Sequence, residues 1–293
     1  MGETNQCDAH FSLLCNMVDQ LKVELDELDC KRDYCSHCDR PVNVCLCPFL
    51  PETIKLDKHI KIWIFQHPFE DKRPLRTTRI LEKCLEKNNF KILKGRKFTV
   101  ERFPELEKVY NNENTYVLYP SEDSINLEQF RNLVNINENR LITDKEVLVN
   151  DETIFHVILI DGTWPQASGI FYTNKQLHKL KQIKIDTDFK SEYTVRTQPR
   201  EFFLSTLETV SVILSTIEDK PQIYHDLVRP LKALCEYQFE HGAQPHQSKE
   251  YLIFKGLYNK PLSKKYKSYL TKNSKFLNES PNDNIIKKET DLE

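Results

Sequence analysis

A chain of 293 residues with 39% apolar residues is long enough for one large α/β domain or two modest ones. Its 42 basic and 44 acidic side chains leave a formal charge of −2, which excludes a global pull on nucleic acid and confines any such contact to local basic patches. No apolar run reaches membrane-spanning length and no basic-then-apolar leader opens the chain, so the sequence reads as a soluble protein of the cytoplasm, the nucleus or both.

Residues 1–33 carry Leu13, Leu14, Val18, Leu21, Leu25 and Leu28 at helical spacing and read as one amphipathic helix. Next comes a cluster, Cys35-x2-Cys38-x6-Cys45-x-Cys47, inside an expected module over 34–52. Four thiolates within so short a stretch can supply the tetrahedral sulfur shell of a structural Zn²⁺, with every metal position filled by protein. An iron–sulfur cluster uses the same four ligands and stays open on spacing alone, while His37 inside the first pair reads as a bystander.

The stretch 53–256 alternates short β-rich runs with helical ones, beginning with a buried strand over 59–65 and a helix over 74–87. Strands follow over 90–93 and 115–119, then a short helix over 127–134. Residues 135–151, rich in Asn, Asp and Glu, read as a surface insertion. The run FHVILI over 155–160 is the most apolar strand of the chain, and nearly continuous hydrophobicity suits a central strand covered on both faces. A helix from Pro165, a strand over 182–185 and helices over 203–217 and 223–239 complete a mostly parallel sheet flanked by helices. Residues 257–293, with Lys264 and Lys265 among several lysines and tyrosines, read as a flexible tail.

Asp161-Gly162-Thr163-Trp164 stands directly after the central strand, where open α/β sheets place their ligand crevices. Asp161 offers a proton acceptor, Gly162 a tight turn, Thr163 a hydroxyl and Trp164 a flat ring for stacking. The competing reading is a strand-to-helix turn in which Asp161 or Thr163 caps the next helix, with Pro165 in its first turn. Ser205-Thr206-Leu207-Glu208 has capping-box spacing, and a helix start also presents free N–H groups to an anion. Arg196, Pro199 and Arg200 lie in a turn-like stretch just upstream, where a guanidinium can clamp an anion or remain solvated. Lys72, Arg73, Arg76 and Arg79 recur about every three positions, which would gather them near one face of the helix over 74–87 for phosphate contact. With 6 glycines and no G-x-G-x-x-G after a strand, a Rossmann-type cofactor loop has no support.

Together these residues resemble the DTW-domain family, named for an Asp-x-Thr-Trp motif that stands here as Asp161 to Trp164. The likeness extends to YCSHCDRPVNVCLCPFLP, to the Gln-His-Pro stretch in IFQHPFEDKRPLRTTRIL, to the Tyr-x-x-Arg-x-x-Pro segment from Tyr193 to Pro199, and to LSTLE at 204–208. It covers roughly 34–260 in order. The resemblance implies a SPOUT-like α/β fold with a C-terminal knot and a tRNA-uridine aminocarboxypropyltransferase activity with S-adenosylmethionine as donor. Under it, Asp161, Thr163 and Trp164 become candidate catalytic residues, with Asp161 the base. His67, Arg196, Pro199, Ser205, Thr206 and Glu208 become candidates for holding the donor, and Arg73, Arg76, Arg79, Lys264 and Lys265 for tRNA phosphates. Two alternatives stay open: a SPOUT-type RNA methyltransferase, and a zinc-stabilised RNA-binding protein without catalysis.

Overall fold

The computed structural model describes residues 33–73, 75–143, 152–186, 190–197 and 203–262. The chain divides between Cys45 and Leu46 into two compact units, a cut that falls inside the module expected over 34–52. In the first unit, Tyr34 and Pro41 form an isolated antiparallel bridge, and the Arg40 Nε donates to the Val44 carbonyl at 3.0 Å, tying the turn that follows Cys38.

The second unit holds one wholly parallel sheet of six strands: β1 (Ile60–Gln66), β2 (Phe90–Lys94), β3 (Thr115–Leu118), β4 (Ile125–Asn126), β5 (Phe155–Asp161) and β6 (Lys181–Lys184), in the order β2-β1-β5-β3-β6-β4. Parallel strands need cover on both faces, and the sequences of β1 and β5 provide for it. Side chains alternate sides along a strand. Ile60, Ile62 and Ile64 of β1 therefore join Phe155, Val157 and Leu159 of β5 in one core, while Trp63, Phe65 and Ile158 enter a second core on the opposite face.

Eight helices follow in chain order among the described residues: α1 (Pro68–Asp71), α2 (Thr78–Cys84), α3 (Leu106–Asn111), α4 (Leu127–Thr143), α5 (Trp164–Thr173), α6 (Thr206–Ile217), α7 (Pro221–Glu240) and α8 (Lys249–Phe254). Ile80, Leu81, Phe130, Val134, Val210, Leu214, Leu227 and Leu231 carry α2, α4, α6 and α7 into the first core. Leu106, Val109, Ile170 and Phe171 carry α3 and α5 into the second. Among the described residues no helix is long and apolar enough to cross a membrane.

Two expectations need correction. Residues 135–143 are not an insertion but the second half of α4, because Leu127, Phe130, Val134 and Glu138 form one buried stripe at helical spacing. Glu138 belongs in that stripe as an acceptor: its Oε1 takes the backbone N–H of His59 at 2.7 Å. Residues 144–151 lie outside the described residues. The helix expected over 74–87 also shrinks, to Thr78–Cys84. Arg73 precedes a proline, which disfavours helical backbone, and Leu85 leaves the helix to bridge Ile54. Arg73 and Arg76 thus sit in the loop before α2 and not on its face. The expected N-terminal helix falls, apart from Asp33, outside the described residues, as do Pro199, Lys264 and Lys265.

Candidate active site

Gln66 and Asp161 are register partners at the carboxyl ends of β1 and β5. Neighbours in a parallel ladder point their side chains to the same face, and here the Gln66 Nε2 donates to Asp161 Oδ2 at 2.9 Å and to Thr78 Oγ1 at 2.9 Å. The other carboxylate oxygen, Oδ1, accepts from the Thr206 hydroxyl at 2.5 Å. Two donors from distant parts of the chain fix the orientation of one buried carboxylate.

Thr206 reaches Asp161 because α6 starts where it does. Ser205 Oγ accepts from the Glu208 N–H at 3.3 Å, and Glu208 Oε2 accepts from the Ser205 N–H at 2.7 Å, the reciprocal pair of a capping box. Glu208 is wholly buried and also takes the Ser191 hydroxyl and the Glu192 N–H, at 2.9 and 2.6 Å. The polar side-chain atoms of Ser205 and Glu208, expected to hold the donor, are engaged within the protein, where they anchor the 190–197 segment to the start of α6. Thr163 is likewise occupied, capping α5 with Gln166, whose Oε1 accepts the Thr163 N–H at 2.8 Å. Gly162 meets the need for close approach, since a Cβ there would stand 3.1 Å from Gln166 Cβ and 3.5 Å from His67 Cβ.

A cavity of about 230 Å³ opens beside Asp161, with Glu70, Tyr193 and the guanidinium-bearing Arg73, Arg76 and Arg196 on its wall. Glu70 comes from α1, which His67 caps by accepting the Phe69 N–H on Nδ1 at 3.2 Å. Burial pushes the Glu70 carboxyl up, the charge of Asp161 adds to this, and Arg73 and Arg196 oppose it. Arg73 Nε lies 3.2 Å from Glu70 Oε2, and Arg76 bonds Asp71, whose carboxyl is held below the usual range first by Lys94 and then by Arg76. Tyr193, its hydroxyl pushed up to about 12 by burial, donates to the Leu75 carbonyl at 2.8 Å and ties the 190–197 segment to the loop before α2.

Of the residues singled out from sequence, Asp161, Arg73, Arg76 and Arg196 line this cavity, and Thr206 stands directly behind Asp161. His67 is buried as a cap, its imidazole pulled down first by burial and then by the charge of Arg96. Arg79 lies in α2 and, like His67, is not on the cavity wall. Trp164 is also off that wall: it is 52% exposed on the first turn of α5, with its ring centre 4.7 Å from that of Phe203. Sequence reasoning passed over Gln66 and Glu70. Gln66 could have been found as the last residue of a strand destined to lie beside β5, and Glu70 as the acid two residues past Pro68; neither signal says which partner it will meet.

In the N-terminal segment, the Sγ atoms of Cys35, Cys38, Cys45 and Cys47 all lie within 4.8 Å of one another. Cys38 and Cys45 are 3.6 Å apart, too far for a disulfide and close to the roughly 3.8 Å between sulfurs around a tetrahedral zinc with bonds of about 2.3 Å. The four thiols could hold one metal ion; His37 is exposed and is not one of this group.

Comparison with known proteins shows the family. The chain is 42% identical over 235 residues to tRNA-uridine aminocarboxypropyltransferase 2 of Macaca fascicularis, covering 80% of this chain and 73% of that one. It is 39% identical over 236 residues to the protein of the same name in Drosophila melanogaster, covering 80% and 86%. Against tRNA-uridine aminocarboxypropyltransferase A of Arabidopsis thaliana the identity is 26% over 243 residues, covering 73% and 84%. No solved structure matches the chain. The model of the DTW domain matches residues 32–239, a span that contains the sheet, the cavity and the four cysteines, and the chain belongs to the DTW domain family.

Proposed function

We propose that this chain is a tRNA-uridine aminocarboxypropyltransferase, moving the 3-amino-3-carboxypropyl group of S-adenosylmethionine to N3 of a uridine in tRNA. The observation that carries this reading is Asp161, held by Gln66 and Thr206 at the exit of the central strand on the wall of an arginine-rich cavity, in a chain 42% identical to a relative of that name. Asp161 is the proton acceptor. As uracil N3 bonds to the methylene carbon beside the sulfonium, the carbon–sulfur bond breaks, its electron pair passes to sulfur, and neutral methylthioadenosine leaves while the N3 proton passes to Asp161. Opposite charges cancel along this step, so a site poor in water favours it. The bonds from Gln66 and Thr206 fix the aim of the carboxylate.

Arg196, joined by Arg73 and Arg76, faces the carboxylate of the donor. That assignment moves Arg73 and Arg76 from tRNA phosphates to the donor and leaves Arg79, Lys264 and Lys265 for tRNA. Trp164 and Phe203 offer an exposed ring pair on which a base can stack. Cys35, Cys38, Cys45 and Cys47 hold a structural zinc whose four positions are filled by protein, leaving none for an activated water. The SPOUT-like fold with a C-terminal knot belongs to the same proposal, resting on the resemblance and on the parallel sheet flanked by helices.

Incubating the protein with tRNA and S-adenosylmethionine tests the reading. The expected products are methylthioadenosine and a uridine heavier by the aminocarboxypropyl group on nucleoside mass spectrometry. A methylated nucleoside with S-adenosylhomocysteine would make it a methyltransferase, and tRNA binding without either product would make it a binding protein.

A further inference from the structure

At about 230 Å³ the cavity beside Asp161 is smaller than the roughly 300–1,000 Å³ of pockets that enclose whole drug-sized ligands, so it is sized for one end of a ligand. The charges on its wall say which end. Three guanidiniums, of Arg73, Arg76 and Arg196, face two carboxylates, of Glu70 and Asp161, and this mixture suits a group that is itself both anionic and cationic. Asp161 already has both oxygens bonded by Gln66 and Thr206. Glu70 does not: it is only 4% exposed, its Oε2 lies 3.2 Å from Arg73 Nε, and its buried Oε1 has no hydrogen-bond partner among the described residues.

An unpaired buried acceptor is expensive to leave unmade, and on a carboxylate more so than on a neutral oxygen. A protein that keeps a carboxylate with such an atom among the residues lining a cavity has left it a donor to gain from outside. The donor that compensates both the missing hydrogen bond and the charge is a cation with N–H groups. Resting on the reading of this site as an aminocarboxypropyl-transfer site, we infer that Glu70 receives the α-ammonium of the donor's amino-acid end on Oε1, while the arginines face its carboxylate. Burial and the neighbouring Asp161, which push the Glu70 carboxyl up, are the same forces an entering ammonium relieves.

The consequence is a choice of leaving group. With ammonium and carboxylate both pinned, the carbon chain between them and the sulfonium is drawn into the cavity that Asp161 lines, and the methyl group is left outside it. Glu70 acts by positioning and takes no proton in the reaction.

The test uses the full chain, Glu70→Gln and three ligands measured by calorimetry: S-adenosylhomocysteine, its analogue with the amino group replaced by hydrogen, and methylthioadenosine, which lacks the amino-acid end. The wild-type chain is expected to lose about tenfold or more in affinity on deamination, the size of one charge-assisted hydrogen bond. Glu70→Gln is expected to bind both amino-acid ligands alike, at the weaker affinity, while binding methylthioadenosine as the wild type does, which shows the pocket intact. A variant that still discriminates the two as the wild type does overturns the assignment. So does one that keeps full affinity for S-adenosylhomocysteine but loses turnover, because Glu70 would then be a proton acceptor; in both cases the transferase reading stands. If the wild-type chain binds neither S-adenosylhomocysteine nor methylthioadenosine, the donor itself was misread and this inference falls with it.

Discussion

The four-cysteine segment and the strand-end cavity each gather their chemistry within a few ångströms, but from very different lengths of chain. Cys35, Cys38, Cys45 and Cys47 come from one short stretch closed by local turns. The cavity needs Gln66 from β1, Glu70 from α1, Arg73 and Arg76 from the loop before α2, Asp161 from β5, Arg196 from a segment anchored by Glu208, and Thr206 from α6. One site is made by spacing and would be completed by a metal ion. The other is made by the sheet, which sets the Gln66–Asp161 register before any ligand arrives. The first should therefore stand or fall with its metal, and the second with single side chains.

The largest effect tests the first half of that contrast. Structural zinc supplies about 10–16 kcal/mol of apparent binding free energy in small peptides, so removing it should cost the cysteine segment its structure. Elemental mass spectrometry is expected to find about one zinc per chain, lost in Cys38→Ser, while S-adenosylhomocysteine still binds the cavity. If the variant keeps its metal, or if donor binding vanishes along with the zinc, the two sites are not built on the separate principles drawn here. Next in size, Asp161→Asn should slow single-turnover release of methylthioadenosine by roughly 10²–10⁴-fold with donor affinity little changed, the range for loss of a general base. Turnover near that of the wild type removes Asp161 from the proton transfer. Smaller again, Thr206→Val leaves Asp161 Oδ1 without its donor and should cost about tenfold in rate, with Thr206→Ser restoring most of it. Equal loss in both variants would mean that the helix start, not the hydroxyl, is what matters.

The same contrast explains what could be read from sequence. The cysteine cluster was legible because its ligands are neighbours in the chain. The central strand was legible because FHVILI is apolar on both faces but for His156, and the start of α6 because a capping box is written in four residues. The second half of α4 read as an insertion because it is rich in Asn and Glu, whereas Glu138 is buried and accepts the N–H of His59, 79 residues away in sequence. The spacing of Arg73, Arg76 and Arg79 suggested a helical face, and the loop before α2 instead turned the first two into the cavity. Thr163 and Glu208 carried real capping signals, and capping is what they do. Nothing local in the sequence says that Gln66 and Thr206 converge on Asp161, since that depends on strand order and on the return of the chain after β6.

The smallest effect bears on Glu70 without ligand. The Glu70 carboxyl is raised, first by burial and then by the charge of Asp161, so the folded chain holds that proton more readily than the unfolded one does. The contribution of Glu70 to stability is then most favourable below its ordinary value of 4.5 and is lost as pH rises through the higher folded value. Glutamine never carries the charge. Without ligand, Glu70→Gln should melt above the wild type at neutral pH, and the difference should close as pH falls toward the ordinary carboxylate range; scanning fluorimetry across pH follows both. Saturating S-adenosylhomocysteine should then reverse the order, since a ligand raises stability in proportion to how tightly it binds the folded state and the variant binds it less well. A variant that melts below the wild type at neutral pH without ligand would mean that Glu70 is already satisfied in the empty protein. In that case the cavity, like the cysteine cluster with its metal, would be stabilised by the groups it holds and not strained in wait for a partner.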